Sequence, residues 1–546
     1  MGDRMGARVL GAAFTAATLC LSVGGVCVGA DAIAGTAAPT QRTKEPGLQV
    51  PALAWAPCAA YECASATVPL DYDHPSGATT QLALARIPAT DQAHRVGTVF
   101  INPGGPGASG IEFLEGGFGA FLSSALQGRF DIVGFDPRGV GASDPLHCFA
   151  SEDALFDFFS GVPVFPYRES QYRPFFDRYR SLADECHDDG QAIVDHMSTA
   201  DVARDLDLLR RAVGDQRLSF VGLSYGSFIG NTYASLFPNK IRAMVIDGVL
   251  DPRLWSTGRQ IEADEVATRQ EFSEFLRLCD AAKSQCDFWE PGGSRDRWER
   301  LAAAVRDDPP LIDNVPYTYD FLVTDAVSAM YVPADWPEFA TYFDRIADTA
   351  LAPQPAVGAA NAALLQLMHK LARAEADYPN GFDSMFGNQC ADTQYPHSFS
   401  DYRSVGKAAA KASRFGPFWW WLNSACADWP VNADRFTGPW RTHTSAPVLV
   451  VGNYFDGITP YTGAQASASL LEGSRLLSYA GWGHTGLRNS TCVRQYVVSY
   501  LLDLVLPPKG QVCPAVPNPF LPVVAKAPAI GSVLASMSPP AMPPYR

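Results

Sequence analysis

No Cys-x-x-Cys pair occurs in this 546-residue chain, and its nine histidines are scattered without His-x-x-x-His spacing. The donor clusters that hold a structural or catalytic metal are therefore missing, and neither metal nor cofactor is expected. Positive charge is also short, since 42 Lys and Arg stand against 57 Asp and Glu for a net charge of −15. An acidic surface argues against nucleic acid or an anionic membrane as partner. Beyond Ala32 no apolar run is long enough to span a bilayer, and the residues around Cys20 and Cys27 form no lipoprotein cleavage site.

The long apolar run that is present lies at the start. Met1 to Ala32 carries Arg4 and Arg8, then Ala, Leu, Val and Gly in bulk, then the small-x-small site Ala30-Asp31-Ala32. This reads as a signal peptide over residues 1–32, and its Ala- and Gly-rich character favours cleavage over a retained anchor. The expected location is extracellular or the cell envelope. Loss of Arg4 and Arg8 is balanced by loss of Asp3 and Asp31, so the charge stays at −15. Ten cysteines remain, Cys58, Cys63, Cys148, Cys186, Cys279, Cys286, Cys390, Cys426, Cys492 and Cys513. An even count in an exported chain points to disulfides, and pairing neighbours in order gives five short-range bridges, although sequence does not fix connectivity.

Residues 33–50 read as a flexible lead-in, and the fold begins near Trp55. Thr80–Ile87 alternates apolar and polar in the manner of an edge strand. Buried-type strands are expected at Val96–Ile101, Phe130–Phe135, Leu218–Val221, Ile241–Ile246, Pro447–Gly452 and Arg475–Tyr479. Helices are expected from Ser198-Thr199 to Val213, from near Ser227, over Tyr461–Leu471 and over Val493–Leu506. Between Asp251 and Arg441 the strand and helix rhythm gives way to a largely helical pattern. The expected division is a core over 51–252, a helical cap over 253–441, the rest of the core over 442–513, and an extended Pro/Ala-rich tail over 514–546.

Chemistry collects where the strands end. Gly222-Leu223-Ser224-Tyr225-Gly226 lies between a strand and a helix, the context of a nucleophile elbow that strains the serine backbone and exposes its hydroxyl. Asp456 and His484 each follow a later strand, in the chain order Ser, Asp, His. Parallel strands would bring these loops to one edge, so that His484 takes the proton of Ser224 while Asp456 holds the imidazole. Asp247 also follows a strand and is the rival acid, but Asp456 lies one strand and one helix before His484 and is preferred. The Gly- and Pro-rich loop Asn102–Gly107 follows another strand, which makes Gly104 and Gly105, with the amide of Tyr225, the expected oxyanion hole. Asp136 and Arg138, in the loop after Phe135, are given structural roles.

Five motifs together carry a family resemblance: Asn-Pro-Gly-Gly-Pro-Gly (102–107), Asp-Pro-Arg-Gly-Val-Gly-Ala-Ser (136–143), Gly-Leu-Ser-Tyr-Gly (222–226), Asp-Gly-Ile-Thr-Pro (456–460) and Gly-Trp-Gly-His (481–484). The chain resembles the secreted tripeptidyl aminopeptidases of actinobacteria, relatives of the prolyl aminopeptidases. The resemblance implies an α/β-hydrolase fold and a serine peptidase that trims peptides, tripeptides in particular, from a free N-terminus. Related cell-envelope members are described as carboxylesterases, so carboxylesterase or lipase is the alternative. A non-catalytic binding protein is disfavoured by the complete set of motifs. Asp-Pro-Val-Thr-Pro is more usual in the family where Asp-Gly-Ile-Thr-Pro stands here.

An exopeptidase needs a carboxylate for the substrate's ammonium group, and the cap should supply it. Asp392 is the first candidate; Glu262 and Glu265 follow, on a helix-like segment that also carries Glu271 and Glu274, where a solvated face is the ordinary reading. Trp420, within the aromatic block Phe418–Trp421, is a candidate lining for the substrate channel, with cap core as the ordinary fate of at least two of the four.

Overall fold

One ten-stranded sheet organises the computed structural model, which describes residues 48–188, 192–312, 315–352, 380–430 and 434–522. The expected signal peptide, the lead-in up to residue 47 and the tail beyond 522 lie outside the described residues. The strands in chain order are β1 (Ala56–Cys58), β2 (Tyr61–Pro69), β3 (Thr79–Ile87), β4 (Gly97–Asn102), β5 (Phe130–Phe135), β6 (Leu218–Leu223), β7 (Ile241–Asp247), β8 (Leu311–Ile312), β9 (Val315–Pro316), β10 (Thr442–His443), β11 (Val448–Phe455), β12 (Leu471–Glu472), β13 (Arg475–Trp482) and β14 (Val512–Cys513). The sheet runs β1-β2-β3-β5-β4-β6-β7-β11-β13-β14, while β8 with β9 and β10 with β12 form separate small pairs. Pairing is antiparallel from β1 to β5 and parallel from β5 to β14.

Every residue of β4, β5 and β6 is buried, as parallel strands covered on both faces require. On one face Phe220 and Val450 pack with Val202, Leu206, Phe228 and Ala464 of the helices Thr199–Ala212, Gly226–Leu236 and Tyr461–Leu470. On the other, Val221 and Val451 pack with Leu114, Leu122, Val493 and Val497. Because the central strands are parallel, the loops that follow β4, β6, β7, β11 and β13 emerge on one edge. That edge carries the site.

The α/β-hydrolase fold is therefore present, and the segment between β7 and β11 is largely helical, Ile261–Ala282 being the longest of its described elements. A second contributor joins this helical layer. The helices Glu152–Phe159 and Glu169–Arg180, between β5 and Thr199, share its apolar cluster: Phe159 meets Phe382 at 5.3 Å and Tyr172 meets Trp421 at 4.6 Å between ring centroids. No helix among the described residues is long and apolar enough to cross a membrane.

Two expectations are corrected. The strand expected at an edge, β3, lies between β2 and β5; its alternation records one exposed face, and the outer edge is made by β1 and β2. The tail does not leave the fold at Cys513. Phe520 is buried against Phe275 and Trp336, with centroid distances of 5.3 and 6.2 Å, and Asn518 Nδ2 donates to the Leu278 carbonyl at 3.0 Å. One aromatic anchor outweighs a composition that by itself signals an extended chain.

Beneath the site edge, Arg138 is wholly buried. Its guanidinium meets Asp205 through two bonds of 2.8 and 2.7 Å and donates to the carbonyls of Leu70, Pro69 and His196, so no donor direction toward these groups is left without an acceptor. Asp136 accepts from the Ser109 hydroxyl and from the amides of Ile111 and Ala142. Both residues serve the architecture, as expected.

The ten cysteines pair in order as Cys58–Cys63, Cys148–Cys186, Cys279–Cys286, Cys390–Cys426 and Cys492–Cys513. Thiol titration of denatured, unreduced chain lacking residues 1–32 should find essentially no free thiol, and reduction should cost about 2–4 kcal/mol for each of the longer loops. Several free thiols per chain would contradict this pairing.

Candidate active site

Ser224 has φ +54°, a left-handed conformation that non-glycine residues rarely adopt, and its amide donates to the Asp247 carbonyl at 2.9 Å. The turn tolerates nothing larger beside it. A Cβ on Gly222 would stand 2.3 Å from the Gly226 carbonyl oxygen, and one on Gly104 would stand 2.8 Å from both Ser224 Cβ and the Tyr225 nitrogen. The loop after β4 thus lies directly against the serine.

After β11, Asp456 accepts through Oδ1 from the amides of Ile458 (3.0 Å) and Thr459 (2.8 Å), and through Oδ2 from the Thr459 hydroxyl (2.9 Å) and the Thr485 amide (3.2 Å). His484 Nδ1 lies 3.0 and 3.1 Å from its two oxygens. A nitrogen facing a carboxylate carries the proton, which leaves Nε2 as the acceptor. Nε2 is buried and has no partner among the described residues. Asp247 is engaged elsewhere: its oxygens accept from the amides of Gly486 (2.8 Å) and Leu487 (2.7 Å), just beyond His484, and burial pushes its pKa up to about 6. Of the two rival acids, the one touching the imidazole is Asp456.

Gly105 and Tyr225 line the cavity beside Ser224, and among the described residues neither amide has a hydrogen-bond partner. The Gly104 amide differs, because it donates to Asn102 Oδ1 at 3.0 Å. Of the three amides expected to bind an oxyanion, two are open and Gly104 instead shapes the loop.

A cavity of about 900 Å³ opens from Ser224 into the helical layer. None of the expected amine-binding acids lines it. Asp392 is buried, with Oδ1 taking the Thr199 amide at 2.7 Å and Oδ2 the hydroxyls of Thr199 (2.5 Å) and Tyr225 (3.2 Å), and burial pushes its pKa up to about 7. It braces the elbow from behind. Glu262 is exposed and paired with Arg259, and Glu265 packs against Gly416 away from the cavity. Trp420 is also corrected: its Nε1 donates to the Tyr402 carbonyl at 2.8 Å in the core of the helical layer, while its neighbours Phe418 and Trp419 line the cavity.

The acids that do face the cavity are Asp264 and Asp325. On the helix Ile261–Ala282, each residue advances about 100°, so Asp264, Thr268 and Glu271 share one face and Glu262 points the opposite way. Phe272, Phe275 and Cys279 mark that face as buried, a signal available in the sequence but readable only with the helix phase in hand. Glu271 is wholly buried; its Oε2 accepts from the Gly457 amide and its Oε1 from the Gly483 amide, both at 2.6 Å. One carboxylate thereby ties together the loops of Asp456 and His484. Burial and the neighbouring Asp456 charge raise its pKa well above the ordinary value, against the two amide bonds. Thr268 adds a bond from its hydroxyl to the Gly457 carbonyl at 2.5 Å. Among the described residues, no group of three or more His, Cys, Asp and Glu is placed to hold a metal ion.

Glu271→Ala should leave the buried Gly457 amide without an acceptor and the Gly483 amide with the Phe455 carbonyl alone, and should lower stability by about 2–4 kcal/mol in chemical denaturation. Glu262→Ala, on the opposite face of the helix, loses an exposed pair with Arg259 and should cost about 1 kcal/mol or less. Equal losses would deny Glu271 this role.

Residues 97–290 match the family described as alpha/beta hydrolase fold, and residues 410–513 match the TAP-like protein family. The chain is 30% identical over 504 residues to serine protease Hip1 of Mycobacterium tuberculosis, covering 86% of this chain and 92% of that protein. It is 31% identical over 470 residues to tripeptidyl aminopeptidase of Streptomyces lividans (82% and 84% covered), and 30% identical over 519 residues to carboxylesterase B of Mycobacterium tuberculosis (90% and 96% covered). With the elbow after β6 and the loops after β11 and β13 as described, the chain belongs to the α/β-hydrolase family that carries a TAP-like C-terminal region, and it is a serine hydrolase.

Proposed function

We propose that this chain is an exported serine aminopeptidase that releases short peptides, tripeptides in particular, from free N-termini. The observation that carries the reading is the Asp456–His484 pair, its acceptor Nε2 without a partner among the described residues, together with a strained serine that opens on a cavity whose wall holds two carboxyl groups. In this reading His484 Nε2 takes the Ser224 proton as Oγ attacks the peptide carbonyl. The amides of Gly105 and Tyr225 hold the oxyanion, His484 returns the proton to the leaving amine, and water then hydrolyses the acyl-enzyme. Asp456 steadies the imidazolium, and the Thr459 hydroxyl, 2.9 Å from Asp456 Oδ2 and 3.1 Å from His484 Nδ1, keeps carboxylate and ring in register. Export is supported by the five cysteine pairs, which persist in oxidising compartments.

The peptidase reading draws on the relatives named serine protease and tripeptidyl aminopeptidase, and on an acid in the cavity wall, Asp264, that suits a cationic substrate end. Carboxylesterase is the second reading. It is favoured by the aromatic and aliphatic walls, which include Phe418, Trp419 and Ile458, and by the relative of that name.

Ser224→Ala should abolish turnover, and a serine-directed phosphonate should label wild type at Ser224 alone. Asp456→Asn should lower the rate by about four orders of magnitude, and Asp247→Asn far less. Labelling elsewhere, or the reverse order of the two aspartates, would undo these assignments.

Peptidase and esterase part on the substrate. Acetylating the amine of a tripeptide anilide should reduce kcat/KM by roughly tens- to thousands-fold, because a desolvated carboxylate loses its partner. Equal cleavage of free and blocked peptide would leave the esterase reading in its place.

A further inference from the structure

The cavity wall contains an arrangement that none of the expected acids provides. Gln260 and Asp264 lie one turn apart at the start of the helix Ile261–Ala282; both line the cavity, and they are 4% and 6% exposed. Gln260 Nε2 donates to Asp264 Oδ1 at 2.7 Å. With Asp264 ionised that bond orients the amide, since the reverse would set oxygen against oxygen, and Gln260 Oε1 is left a buried acceptor with no partner among the described residues. Asp264 Oδ2 also accepts no hydrogen bond among the described residues, and no Lys, Arg or His pairs with Asp264 there. The cavity wall therefore carries two acceptors without a donor among the described residues, Gln260 Oε1 and, on a carboxyl group with no counter-charge there, Asp264 Oδ2. A buried acceptor such as Gln260 Oε1 left in that state is costly, and a ligand that only donates would relieve it and pair with the Asp264 carboxyl group as well.

We propose that Asp264 Oδ2 and Gln260 Oε1 hold the terminal ammonium group of the substrate. This deepens the aminopeptidase reading and rests on it. An ammonium has three donors and no acceptor, so it satisfies both oxygens and supplies the missing charge. Trp255 Nε1, also buried and without a partner among the described residues, belongs to a residue that lines the same cavity and provides a donor for a substrate carbonyl. Asp325, the other acid in the wall, is already served: the Tyr317 hydroxyl donates to its Oδ2 at 2.5 Å, and Tyr342 bonds it as well. Burial raises the Asp264 pKa well above the ordinary value, with the Asp456 charge adding to the effect, which is the state an incoming cation would reverse.

The test is the ratio of kcat/KM for a free tripeptide anilide to that for its N-acetyl form, taken within each variant so that any general loss of activity cancels. Wild type should favour the free amine by roughly tens- to thousands-fold. Asp264→Asn should bring the ratio to within about threefold of one, and Gln260→Leu, which keeps the carboxylate and removes the neutral acceptor, should lower it by roughly three- to tenfold. Asp325→Asn should leave it unchanged. An undiminished ratio in Asp264→Asn, or a ratio lost in Asp325→Asn, overturns the assignment; if Asp264→Asn does not fold, an unchanged ratio in Gln260→Leu does so. A wild-type ratio near one instead removes the aminopeptidase reading itself, so the two failures are distinguishable.

Discussion

Glu271 is the point through which the two halves of this enzyme constrain each other. Its carboxylate comes from a helix of the inserted layer, yet both of its partners are backbone amides in loops of the sheet, one beside Asp456 and one beside His484. Withdrawing that helix would strand the Gly457 amide, at a cost of about 1–3 kcal/mol, and leave the Gly483 amide with the Phe455 carbonyl alone. The helix Ile261–Ala282 is therefore no freely swinging lid. Because Asp264 and Gln260 ride on the same helix, the tie also fixes the cavity wall relative to the imidazole. Recognition and chemistry share one rigid element, which is how a site holds reacting groups in place without moving parts.

Legibility in the sequence followed the range of the interaction. The elbow and the loops of Asp456 and His484 are local signals, each a strand running into Gly-rich turn chemistry, and chain order supplies their convergence once the strands are taken as parallel. Neighbouring cysteines paired in order because each bridge closes a short or moderate loop, 5 to 38 residues in separation. Position alone favours Asp456 over Asp247 as the partner of the imidazole; in the folded chain Asp247 sets both oxygens on the Gly486 and Leu487 amides.

What remained hidden depended on phase or on distant partners. Asp392 beside a cysteine carries no mark that Thr199, 193 residues away, occupies its oxygens. Four glutamates on one helix look alike until the turn of 100° per residue separates the exposed Glu262 from the buried Glu271, and Asp264 escaped because an acid on a buried face has no local signature. The helices between residues 152 and 180 were missed for a related reason. They bury Phe and Tyr against a layer supplied by a remote insertion, and one of them contains Pro174, which reads as a breaker.

Gly457 brings these threads together. The resembling family usually has proline here, and from the motif alone the exchange leaves the acid at 456 untouched. In the folded chain it does more. Proline has no amide hydrogen, so it would remove one of the two donors on Glu271. The surroundings exclude a side chain as well: a Cβ at 457 would stand 2.8 Å from Glu271 Oε2, 3.1 Å from Thr268 Cα and 3.3 Å from Met330 Cβ. Proline would stiffen the loop after β11 from within, by locking φ. Glycine leaves the backbone loose and gives it an amide, and the carboxylate of Glu271 then supplies the stiffness from outside. In this chain the restraint on the loop of Asp456 thus includes a tertiary bond, and the geometry beside the imidazole depends on the inserted helix.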